Sequence, residues 1–88
     1  MLTARLEGRL LWRDNLRYHG DEQLMAVMLK LDEVNVPVIA MGDLAEKWED
    51  LDIGALLSCE AEFVFETLAD GITTSGQWQT HQAPVLIF

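Results

Sequence analysis

Basic residues are scarce in this 88-residue chain and nearly confined to its first third. Residues 31–88 hold only Lys47 against eleven acids, a net −10, whereas residues 1–30 carry +1. A field of that sign repels phosphate and non-specific polyanions, so any nucleic-acid contact is restricted to the N-terminal part. Cysteine is almost missing too. Cys59 alone cannot close an internal disulfide, which fits a reducing compartment, and its alternating apolar neighbours make it a small buried hydrophobe. No apolar run nears the roughly 20 residues that a membrane helix needs. The N-terminus has a mixed Arg/Glu pattern in place of an apolar signal region, so the expected location is cytoplasmic, away from membranes. There is no phosphate-binding glycine loop and no G-x-S-x-G elbow. His19 and His81 lie far apart, with no cysteine or second histidine at ligand spacing. Neither catalysis, metal nor cofactor is expected, because a small filled fold leaves little room for a pocket.

What is present reads as one globular domain over residues 1–88, half apolar (50%) and a quarter charged (24%). The opening stretch alternates. Leu2, Ala4, Leu6, Gly8, Leu10 and Trp12 share one face, with Thr3, Arg5, Glu7, Arg9 and Arg13 on the other, broken only by Leu11. A helix would scatter leucines among the arginines, so the pattern predicts a strand, with Gly8 marking a bend or bulge. Residues 13–22 carry turn chemistry around a short extended piece at 16–18. Residues 23–31 are apolar on both faces, as in a strand covered twice, and a partner subunit could supply the second cover.

A tight turn leads to a β-branched strand at 36–41, where Pro37 favours the start or an edge. Residues 42–54 change period: Leu44, Trp48 and Leu51 follow helical spacing, Asp43 and Glu46 form a capping-box-like start, and Gly54 a stop. Period two returns at 55–68, with Leu57, Cys59, Ala61, Phe63 and Phe65 inward and Ser58, Glu60, Glu62, Val64 and Glu66 outward. Residues 69–80 read as a flexible hairpin connection and 81–88 as the final strand.

The order is β-β-β-α-β-β, that of an all-β, five-stranded OB-fold barrel with one short helix between strands three and four. The residues also carry a family resemblance. Gly8, Leu10, Asp14, Leu16, Arg17, Tyr18 and Gly20, in that order, resemble the opening of bacterial single-stranded-DNA-binding proteins, which reads roughly G-x-L, then D-P-x-L-R-Y, then glycine. Gly42, Leu44, Ala45, Glu46, Leu51, Gly54 and Glu62 are similar to that family's later blocks. The likeness spans residues 6–67 and extends equally to the shorter, dimeric primosomal replication protein N. Two departures stand out. The family's long basic loop between strands two and three is reduced to "DEVNVP", and Glu62–Phe63 replaces an E-G pair. The acidic C-terminal tail of the larger members is not expected, since the sequence stops at Phe88.

The resemblance implies single-stranded nucleic-acid binding in replication or primosome work, by a homodimer or higher assembly, with other replication proteins as possible partners. Such binding needs a basic groove and aromatic platforms. Trp12, Trp48, Phe63 and Phe65 fall on faces expected to be inward, which leaves Tyr18 and Trp78, in connections flanking the cleft, to stack on bases. Arg5 and Arg9 are expected to face Glu60, Glu62 and Glu66 in a cross-strand ion ladder. Arg13 and Arg17 lie beyond it and, with Lys30, are the expected phosphate contacts. The alternative is an acidic OB-fold module that binds protein without significant DNA affinity. The net charge of −9, the short second connection and the lack of aromatics between Tyr18 and Trp48 favour it.

Overall fold

Period-two alternation becomes a closed barrel in the computed structural model, which describes residues 2–67 and 74–80. The strands are β1 (Leu2–Arg13), β2 (Arg17–His19), β3 (Glu22–Leu31), β4 (Val34–Met41), β5 (Leu56–Thr67) and β6 (Thr74–Thr80), with helix α1 (Asp43–Glu49) between β4 and β5. The sheet order is β1-β5-β6-β4-β3-β2, and a β1–β3 pairing closes five of these strands into a ring. All pairs are antiparallel except β4 with β6. This is the OB-fold architecture. The three-residue β2, an extension paired with β3 alone among the described residues, shifts the helix to follow the fourth strand in chain order.

The core follows alternation. Leu6 and Leu10 of β1, Met25, Val27 and Leu29 of β3, Val38 and Ala40 of β4, and Leu57, Cys59 and Ala61 of β5 are buried inside. Helix α1 packs against β3 and β4 and sends Ala45 and Trp48 into this core. Its expected capping box does not form. Asp43 is already inside the helix, and the cap is Gly42, whose φ of 63° suits glycine. The carbonyl of Gly42 accepts the Glu46 N–H.

Three further sequence expectations change. The segment 74–80 is the strand β6 rather than part of a connection, so Trp78 sits inside the sheet opposite Val38 and Phe63. The strand expected at 81–88 lies outside the described residues.

Gly8 is no bulge, because its pairing with Leu57 is regular. It is glycine because β1 crosses β3 closely there, and an added Cβ would stand 2.3 Å from the Lys30 carbonyl oxygen. The bulge lies further on: Leu10 pairs with Leu29 and Trp12 with Met28, so Leu11 is the extra residue.

The third change concerns the ends of long strands. Leu2 and Phe65, on faces expected to be inward, are exposed because β1 and β5 run past the barrel. Phe63 is half-buried, edge-on to Phe65 at 5.0 Å and to Trp78 at 5.1 Å.

Candidate nucleic-acid interface

The bulge at Leu11 decides what the arginine-rich strand offers. An extra residue shifts alternation by one, so residues beyond it swap faces. Trp12 is turned outward with its partner Met28 and is 52% exposed rather than buried. Arg13 is turned to the side of the core residue Val27, where its guanidinium donates to the carbonyl of Leu51. Arg9, just before the bulge, donates to the carbonyl of Gly54 at 3.0 Å. Leu10 is bound to the same α1–β5 loop, its carbonyl accepting from Gly54 N at 2.6 Å and its N–H donating to Ala55 O at 2.9 Å. Arg9 and Arg13 therefore anchor the loop on either side of the bulge.

The cross-strand ladder forms in part. Arg5 stands opposite Glu60 and donates to it at 3.1 Å, and to Glu7 at 3.2 Å. These hydrogen bonds, Glu7 first, favour the charged guanidinium and raise its pKa. Arg9 takes no part, because its neighbour on β5 is Leu56 rather than a glutamate.

Strand register lays out the outer face of the barrel row by row. Leu24 pairs with Met41, Ala26 with Ile39, Met28 with Pro37 and Lys30 with Asn35. These residues alternate with the buried Met25, Val27, Leu29, Val38 and Ala40, so they point outward. Arg17 flanks the first row as the partner of Leu24, Trp12 flanks the third through Met28, and Arg9 flanks the fourth through Lys30. The result is an apolar stripe with one exposed tryptophan and cations at both ends.

Of the five expected contacts, Arg17 and Lys30 share this face, about 20 Å apart over six strand residues. Arg17 also pairs with Asp14 at 3.2 Å. Tyr18 is 66% exposed but follows Gln23, on the other side of the sheet from Arg17. Trp78 is half-buried against the core and Phe63 rather than lying free beside a cleft. Arg13 is committed to Leu51. Sequence reasoning missed Trp12 and Arg9 as members of the face. The visible signal was Leu11, an apolar residue that broke the alternation.

Among the described residues no group of three or more histidine, cysteine or acidic side chains could hold a metal ion. Among them, too, no helix is long and apolar enough to cross a membrane.

No family model and no curated protein matches the chain. In fold it is similar to the crystal structure of the SSB domain of a protein from Synechococcus sp., with a TM-score of 0.69 and 11% identity. The match covers 93% of this chain and 92% of that one. The chain is thus an OB-fold barrel that shares its architecture with that SSB domain across nearly the full length of both.

Proposed function

We propose that the protein binds single-stranded nucleic acid on the outer face of β1, β3 and β4. The observation that carries this reading is Trp12, half exposed in the third row of an apolar stripe, between Arg17 at one end and Arg9 with Lys30 at the other. Bases stack on an exposed aromatic at about 1–3 kcal/mol each, while flanking cations follow the backbone. The acidic remainder of the chain repels a polyanion and so confines it to this face. The resemblance in residues 6–67 and the fold shared with an SSB domain support the reading. Within this proposal the role is replication or primosome work, carried out by binding rather than catalysis, in a homodimer.

Titration with labelled oligo-dT at low and moderate salt tests it. The expected result is salt-sensitive binding that quenches tryptophan fluorescence and weakens on Trp12→Ala. No binding at low salt overturns it.

A second reading rests on the other rows. Leu24, Ala26, Ile39 and Met41 form an outward apolar surface with no aromatic among them. That surface suits a protein-interaction module, with a second subunit as one cover. Light scattering that shows a dimer whose contact is lost on Ile39→Lys, without oligo-dT binding, favours this reading.

A further inference from the structure

Arg9 and Lys30 are register partners across β1 and β3, and both are exposed on the outer face. Directly opposed residues hold their Cβ atoms about 4.5–5.5 Å apart, and like charges so placed repel. Among the strand pairs of the described residues, no other sets two like charges face to face. The chain has fifteen acids for six Lys and Arg, so acidic partners were abundant. Arg5, on the same face of β1, has one in Glu60.

The two side chains line a cleft of about 350 Å³ with Glu7, Gly8, Asp32 and Leu56. Gly8 brings the backbones of β1 and β3 together at this point. The Arg9 guanidinium is steadied by the Gly54 carbonyl through Nη1, and its other nitrogens make no hydrogen bond among the described residues. Lys30 enters no ion pair among them. Of the two acids, Glu7 is already engaged by Arg5 at 3.2 Å, and Asp32 sits in the β3–β4 turn at φ 52°.

We propose that this cleft is an anion subsite that takes one phosphate group between Arg9 and Lys30. A tetrahedral dianion or a backbone phosphodiester accepts charge-assisted hydrogen bonds from both cations and removes their mutual repulsion. The phosphodiester source rests on the nucleic-acid reading above. Free phosphate does not.

The test titrates the full chain with inorganic phosphate, at ionic strength matched with chloride, and follows backbone amide resonances. The wild type is expected to show saturable shifts at Gly8, Arg9 and Lys30, and the Arg9→Gln/Lys30→Gln variant none. Lys30→Gln by itself is expected to melt no lower than wild type at low salt, since it removes a repulsion. The salt dependence of oligo-dT binding gives the second arm. One shared phosphate on a single strand contributes about 0.7 to the slope of log K against log salt, so the double variant should lose about 0.7. A loss near 1.4 means two separate phosphates and overturns the shared site. Saturable phosphate shifts without any oligo-dT binding uphold the subsite and reject the nucleic-acid reading. Oligo-dT binding with an unchanged slope in the double variant, and no saturable phosphate shifts, rejects the subsite and leaves that reading intact.

Discussion

Trp12 of β1 stands opposite Met28 of β3 on the outer surface of the barrel, although its place in the alternating sequence points it toward the core. If this ring stacks on a base, Trp12→Ala weakens oligo-dT binding by about 1–3 kcal/mol, roughly five- to 150-fold, with little loss of stability. Tyr18→Ala, on the other side of the sheet, is expected to change affinity less. Fluorescence titrations of the two variants check the order. A larger effect at Tyr18 would move the binding face to the β2 side.

Gly8 and Gly76 make a graded pair. An added Cβ at Gly8 meets the Lys30 carbonyl oxygen at 2.3 Å, and at Gly76 it meets the Phe63 ring at the same distance. Backbone between two barrel strands cannot step aside, so Gly8→Ala is expected to cost about 1–3 kcal/mol. The ring of Phe63 is half-buried and can rotate away, so Gly76→Ala should cost less, and Phe63→Leu should relieve it further. Urea denaturation of the three variants measures both effects.

The Arg5–Glu60 pair is well aligned but wet, with side chains 59% and 66% exposed. Exposed pairs contribute little, so a double-mutant cycle with alanine at both positions should give a coupling below about 1 kcal/mol. The coupling is expected to shrink further in concentrated salt, where the Debye length falls to about 3 Å at 1 M. A coupling well above that, insensitive to salt, would mean the two groups are shielded from solvent.

Cys59 is buried between Leu57 and Ala61, and desolvation, with help from the Glu60 charge, pushes its thiol up from 9.0 to about 11. A raised folded-state pKa means that the native state holds its proton longer than the unfolded chain does. Its contribution to stability is therefore complete below pH 9 and declines as pH rises through about 11. Urea midpoints at pH 8, 9.5 and 10.5 should fall for the wild type faster than for Cys59→Ala. The native thiol should also react slowly with a disulfide reagent at pH 8 and quickly in denaturant.

Alternation alone set the inward face of β5 from Leu57 to Ala61, because one buried side imposes strict alternation and a one-residue slip would expose all of it. The sequence also set the helix carrying Trp48, the outward placing of Arg5 and Glu60, and the lopsided charge that confines any polyanion to the N-terminal third. Which arginine does what depends on how the strands pair in three dimensions. A bulge is defined by two strands together: Leu11 is extra only against the count of residues on β3, and no local pattern in β1 contains that count. From that single unpaired residue follow the outward Trp12 and the inward Arg13. Barrel height likewise is set by how the strands tilt and close, so nothing local told that Phe65 would stand clear of the core while Phe63, two residues earlier, is half covered. The facing of Arg9 and Lys30 is of the same kind, since their distance in sequence is bridged only by the pairing that closes the barrel.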